Sequence, residues 1–284
     1  MEAEGVEEEL REVKMLEFTT HQPFEVEIAP YKEQGFALCP LLAGASLEAV
    51  QREAGRLWAL ANKRYDAGQS WNANAIINGV HKDSAVMREL MYHSPLVDLM
   101  TRLIGPNVKA ASNQLVFKQA GDNNSYHWHQ DNGFGPLDPQ DNVTCWIALD
   151  DTHERNGCLW VLPGSHHGGR VEHVASRGRE RIARVADESG ARPLPMRAGE
   201  CVIFHGNLLH TSKGNDTDRV RRAYFFRYAD ADAIEVLTGR PRIGKLLRGA
   251  SRFREVTECP ETVCQPDATE KYGLPGRTAG GRRD

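Results

Sequence analysis

The sequence predicts a mainly β fold, a sandwich, jelly roll or barrel, with helices at its N-terminal end. Two observations predict it. From about Val108 onward, short β-rich segments recur at 108–118, 125–131, 142–149, 158–162, 201–204, 208–211 and 221–229 with no helical pattern between them. Turn clusters at 120–124, 133–141, 163–169 and 214–218 separate these segments, and the stretch before Val108 instead carries apolar residues at three- and four-residue spacing.

The elements follow in order. Residues 1–30 form an N-terminal arm whose stretch 2–15 reads as a charged helix or a frayed end, and 35–39 reads as a short strand stopped by Pro40. Ser46 caps a helix to about Lys63, with Leu47, Val50, Ala54, Leu57 and Leu60 on one face. A second helical stretch starts at Ser84, and Ser94-Pro95 restarts it with a hydroxyl cap before Gly105 ends it. The jelly-roll core spans about 108–230 within a domain of 31–239, interrupted by a polar insert at 175–190. The Gly- and Arg-rich extension 240–284 lies outside the core, with 240–254 as a closing element or a partner-binding segment.

Composition narrows the function. The 284 residues are 40% hydrophobic, enough for a sizeable core, and 35 Lys+Arg against 39 Asp+Glu leave a net charge of -4. Nucleic acid is therefore not an expected partner, since a phosphate backbone calls for a basic face. No apolar run reaches the ~18 residues of a membrane span, and the N-terminus is acidic where a signal peptide is basic, so a cytoplasmic chain without a membrane is expected. The six cysteines show no paired framework, and Cys259-x4-Cys264 stands alone in a polar tail.

The densest chemistry is Tyr126-His127-Trp128-His129-Gln130-Asp131-Asn132. On a strand, His127, His129 and Asp131 share a face. Two chemistries use that face. With one distant His, His129 and Asp131 make the two-His, one-carboxylate site of non-haem Fe(II). Alternatively His127, His129 and Asp131 begin a zinc hydrolase site, although the next residue is Asn132 rather than His. The plain alternative is a His-rich strand followed by a turn. A second cluster, Cys201 to Ser212, supplies the distal His as His210, with His205 competing. Arg221 follows His210 by eleven positions, so a hairpin closed at 214–218 returns its guanidinium to the same cavity, where it can anchor the far carboxylate of a 2-oxo diacid.

Several motifs occur together: Trp128-His129-Gln130-Asp131, Thr144-Cys-Trp146 through Asp151, Asn156 through Ser165-His166, His210-Thr-Ser212 and Arg221-Arg-Ala223, with Glu33-Gln-Gly-Phe36 ahead of them. Over about residues 31–230 the chain resembles the phytanoyl-CoA dioxygenase family of Fe(II)/2-oxoglutarate-dependent oxygenases. The resemblance implies a double-stranded β-helix, the cupin-like jelly roll. It implies that His129, Asp131 and His210 bind iron, that Arg221 and Ser212 hold the distal carboxylate of 2-oxoglutarate, and that Trp146 lines that pocket. Lys118 is a further implied cosubstrate contact. The implied reaction consumes O2 and 2-oxoglutarate, releases succinate and CO2, and hydroxylates an unactivated C–H; Asp131 favours hydroxylation over halogenation.

The substrate is expected to be a small metabolite or natural-product intermediate bound by a monomer or homodimer. Loops 65–83 and 133–141 form the expected mouth of the cavity, where Asn72, Asn74 and Asn78 offer hydrogen bonds and His127 is a further substrate or metal-supporting contact. A zinc-dependent hydrolase and a non-catalytic jelly-roll binding module remain the competing classes.

Overall fold

The computed structural model describes residues 28–64, 74–175, 181–183, 185 and 187–253. Its elements run α1 (Ile28–Gln34), β1 (Phe36–Pro40), α2 (Gly44–Arg64), β2 (Asn74–Asn78), α3 (Ala85–Met91), α4 (Ser94–Leu103), β3 (Val108–Lys118) and β4 (Tyr126–His129). Then come α5 (Asp131–Phe134), β5 (Leu137–Asp138), β6 (Asn142–Ala148), β7 (Leu159–Val161), β8 (His173–Ala175), β9 (Arg181–Ala183) and β10 (Arg192–Leu194). The chain continues as β11 (Glu200–His205), β12 (His210–Ser212), β13 (Arg221–Asp230), β14 (Ile234–Glu235), β15 (Arg240–Pro241) and β16 (Lys245–Arg248).

Two antiparallel sheets face each other. The larger has the order β1-β11-β6-β13-β3-β16, with β2 also on β3, and the smaller has the order β10-β7-β12-β4. Alternation along each strand divides the larger sheet's side chains between two faces. On the outer face, Cys145, Ile147, Tyr224, Phe226 and Tyr228 pack with Val50 and Leu57 of α2, Leu90 of α3 and Leu96 of α4. On the inner face, Trp146, Ala148, Val202, Phe204 and Ala223 meet Leu159, Val161 and Leu194 from the smaller sheet. The predicted double-stranded β-helix with N-terminal helices is therefore the observed fold. The inner face leaves polar residues at its two ends, and these build the site.

Local chemistry explains the helix starts. Ser84 caps α3 by accepting the Met87 N–H at 3.1 Å. The other expected caps are displaced: α2 begins at Gly44, with Ser46 buried inside its first turn, and α4 takes His93 as its N-cap, so Ser94 is already helical. Tyr224 and Tyr228 tie α3 to the sheet through hydroxyls that donate to the carbonyls of Met87, at 3.1 Å, and Met91, at 2.7 Å. Tyr228→Phe strips the Met91 carbonyl of a buried donor, and urea unfolding is expected to show a loss of about 1–2 kcal/mol.

Three segments differ from expectation. The supposed loop 65–83 contains β2, which pairs with the Gln114–Lys118 end of β3. Arg181–Ala183 of the insert is β9, which pairs antiparallel with β8 just ahead of the insert. The chain beyond 239 is not wholly outside the core, because β16 pairs with the Val108–Ala110 end of β3. Its anchor is Lys109, a buried ammonium that donates to the carbonyls of Ala231 at 2.9 Å, Ala233 at 3.4 Å and Arg242 at 2.7 Å. Residues 1–27 of the arm, Asn72 and Cys259-x4-Cys264 lie outside the described residues, and the last three residues of the arm, 28–30, instead open α1.

Candidate metal centre and cosubstrate pocket

β12 lies beside β4 in the smaller sheet with His210 directly opposite His129, which brings together imidazoles from distant parts of the chain. Their ring centroids are 4.1 Å apart. The expected strand 125–131 stops at His129. Gln130 is extended, and Asp131 is the first residue of α5. That change of backbone is what makes the H-x-D spacing work, because the helical turn returns the carboxylate towards the imidazole. The ligand atoms of His129, Asp131 and His210 all lie within 4.8 Å of one another, and His210 Nε2 is 3.8 Å from Asp131 Oδ1.

Both imidazoles are oriented by their other nitrogen. Nδ1 of His129 donates to the His127 carbonyl at 2.6 Å, and Nδ1 of His210 to the Leu208 carbonyl at 2.9 Å. Each Nε2 therefore keeps its lone pair for an ion. Burial, then the neighbouring His210 ring, pushes the His129 pKa down to about 3, and burial lowers that of His210. For Asp131 burial works upward, but the Arg227 guanidinium first, then His210, His129 and the Thr144 hydroxyl, outweigh it and hold the carboxyl below its usual range. Two neutral imidazoles and one carboxylate are thus preformed.

Arg227 is a site residue that the sequence analysis did not single out. Its Nη2 donates to Oδ1 of Asp131, while Thr144 Oγ1 donates to Oδ2. Arg227 and Thr144 are cross-strand partners on β13 and β6. The signal was in the alternation, since Arg221, Ala223, Phe225 and Arg227 share the inner face of β13. Asn132, beside the ligands, is buried in an amide network: it donates to Asn207 Oδ1 at 2.8 Å and accepts from Asn142 Nδ2 at 2.6 Å.

At the other end of the inner face lies Arg221, which is 2% exposed. Its guanidinium carbon sits 5.4 Å from the centre of the Trp146 ring, and its Nε is buried without a hydrogen-bond partner. Burial lowers its pKa to about 10, which leaves it charged at neutral pH. No salt bridge joins it to a carboxylate among the described residues. Ser212 is buried two residues along β12 from His210, about 7 Å by strand rise.

Lys118 stands directly opposite Arg221 across β3 and β13. Its ammonium donates to the carbonyls of Lys213, Ser212 at 3.3 Å and Asn124 at 3.5 Å, and burial followed by repulsion from Arg221 lowers its pKa to about 7. The side chain passes beneath Gly157, where φ is +79° and an added Cβ would come 2.8 Å from Lys118 Cδ. Lys118 thereby fixes the turn after Ser212.

Other expected residues separate from the cluster. His127 is exposed and stands outside it, because two residues of strand carry it about 7 Å from His129. The zinc-hydrolase arrangement of His127, His129 and Asp131 on one strand face is therefore not formed. His205 turns to Asp141 Oδ1, 3.3 Å away. Asn78 accepts from Gln114 Nε2 at 2.6 Å, and the backbone of Asn74 pairs with Lys118.

The donor set fits a ferrous ion, whose preferred site is two imidazoles and one carboxylate on a single face. The Arg221 guanidinium, with no carboxylate partner among the described residues, fits the distal carboxylate of 2-oxoglutarate. A phytanoyl-CoA dioxygenase from Arabidopsis thaliana is 30% identical over 167 residues, covering 57% of this chain and 59% of that protein. An L-proline trans-4-hydroxylase from Streptomyces griseoviridis is 31% identical over 176 residues, covering 54% of this chain and 66% of that protein. The match thus spans under two thirds of the length of these curated relatives. Among solved structures, the non-heme monooxygenase ThoJ in its apo form superposes with a TM-score of 0.65 at 25% identity, over 81% of this chain and 88% of that one. The description phytanoyl-CoA dioxygenase (PhyH) matches residues 31–223, spanning α1 to the start of β13 and so both ends of the site; the chain belongs to the phytanoyl-CoA dioxygenase family.

Proposed function

We propose that the protein is an Fe(II)- and 2-oxoglutarate-dependent dioxygenase that hydroxylates an unactivated C–H of a small metabolite or natural-product intermediate. The observation that carries this reading is Arg221, a buried cation without a carboxylate partner among the described residues, on the inner face that also presents the His129, Asp131 and His210 cluster. Bound iron and 2-oxoglutarate supply the oxidising chemistry, with O2 consumed and succinate and CO2 released.

The chain's own residues have separate tasks. His129 and His210 offer Nε2 and Asp131 offers a carboxylate oxygen, with no proton to displace at neutral pH. Arg221 forks onto the distal carboxylate of the cosubstrate, Ser212 adds a hydroxyl, and Trp146 covers the guanidinium face. Lys118 holds the Ser212–Lys213 carbonyls and so the backbone that carries Ser212. The half-buried Arg227 beside Asp131 suits a polar substrate; the relative named L-proline trans-4-hydroxylase supports a small one.

The test is anaerobic addition of Fe(II) and 2-oxoglutarate to the metal-free protein. A weak visible charge-transfer band is expected for wild type and none for His210→Ala. A wild-type protein that binds neither component ends the oxygenase reading. Succinate release stimulated by members of a metabolite library then identifies the substrate.

A further inference from the structure

The peptide joining the two ligands of the H-x-D pair is held by a residue far along the chain. The backbone N–H of Gln130 donates to Nε2 of His173 at 2.9 Å. Nδ1 of His173 donates in turn to the Val171 carbonyl at 2.9 Å, which fixes the tautomer and makes Nε2 the acceptor. The imidazole lies against Gly133, where an added Cβ would stand 2.2 Å from Nε2. Gln130 grips the same segment with its side chain: Oε1 accepts from Val171 N at 2.8 Å, and Nε2 donates to the Gly169 carbonyl at 2.8 Å. Its Nε2 also donates at 2.7 Å to the carbonyl of Asn207, three residues before His210.

We infer that His173 is a positioning residue for the metal centre, holding the Gln130 peptide so that His129 and Asp131 face one point, and that segment 169–173 is part of that centre. The geometry supports this in three ways. Gln130 is extended, with φ −115° and ψ 144°, between a strand and a helix, and a small rotation there swings His129 and Asp131 in opposite directions. The buried N–H needs an acceptor, and the locked imidazole is one. Gly133 leaves the space in which the ring sits, so glycine at the third position of α5 and histidine at the start of β8 serve the same contact. Gln130 links this support to the turn that delivers His210, so all three ligands depend on one polar network.

The inference rests on the reading that His129, Asp131 and His210 hold a divalent metal. Co(II), whose visible bands report its coordination, is titrated into the full-length metal-free protein with His129→Ala as the blank. His173→Ala is expected to raise the Co(II) Kd about 10–100-fold, the range for lost outer contacts of a metal site. His173→Gln, whose Oε1 can accept where Nε2 did, is expected to return within about threefold of wild type. Wild-type affinity in His173→Ala overturns the inference, as does a Gln variant as weak as the Ala variant. A wild-type protein that binds Co(II) no better than the blank overturns the metal reading and this inference with it. Independently of any substitution, scalar coupling across the Gln130 N–H···Nε2 His173 bond in isotope-labelled wild-type protein is expected, and its absence overturns the contact itself.

Discussion

Arg221→Met is expected to weaken 2-oxoglutarate binding about 10²–10³-fold, since removing one partner of a buried charge pair costs about 3–5 kcal/mol and each 1.4 kcal/mol is tenfold. Metal titration is expected to stay at wild type, because Arg221 and the ligand cluster sit at opposite ends of the inner face. Stability separates this role from a packing role. Without cosubstrate, Arg221 is a buried charge with an unpaired Nε and an aromatic ring as its neighbour, an arrangement that costs folding free energy. The uncharged methionine is therefore expected to hold or raise the thermal midpoint of the ligand-free protein while abolishing the gain in midpoint on adding 2-oxoglutarate. Arg221→Lys keeps the charge but loses the planar fork, and an intermediate affinity is expected. A methionine variant that is less stable when ligand-free, yet binds 2-oxoglutarate normally, makes Arg221 a structural residue.

That residue shows what the sequence carries well. Arg221 and His210 are legible as motif residues, but the hairpin expected to join them is not formed: β12 lies in the smaller sheet and β13 in the larger, so the turn at 214–218 carries the chain between sheets and sets Arg221 at the far end of the inner face from the ligand cluster. His129 and Asp131 are legible as a motif, but the reason they converge is not: the strand was read through to Asp131, whereas the chain leaves the sheet at Gln130 and turns into a helix. Strand-face reasoning also placed His127 with His129, where the strand rise keeps them apart. Arg227 was lost among the arginines of β13, since its importance comes from the cross-strand register with Thr144. His173 carried no local signal at all. It lies just ahead of the polar insert 175–190, in a stretch with no motif of its own, and only the tertiary structure sets its ring under Gly133. The edge strands β2 and β16 were missed for a related reason: NAIIN and KLLR are too short to show a period, and their pairing is dictated by the long β3 beside them.

Asp131→Asn is expected to raise the Co(II) or Fe(II) Kd by about 10²–10³-fold, because structural zinc sites gather about 10–16 kcal/mol from four ligands, or about 2.5–4 kcal/mol each. The substitution keeps the shape of the side chain and removes the charge that Arg227, Thr144 and both imidazoles are arranged around. Arg227 gives the informative comparison. Its guanidinium and the Thr144 hydroxyl each occupy one oxygen of the carboxylate, and a carboxylate has lone pairs to spare for an ion. Arg227 therefore orients the ligand while its charge opposes the metal's. If orientation dominates, as the two-sided grip on Asp131 indicates, Arg227→Met weakens Co(II) binding about tenfold, at the lower end of the range for outer contacts. If repulsion dominates, the same variant binds Co(II) more tightly than wild type, and the guanidinium is then a brake on metal affinity. In the Asp131→Asn background the carboxylate is gone, so adding Arg227→Met is expected to cost no further affinity; a further tenfold loss would mean that Arg227 supports the metal by a route other than Asp131.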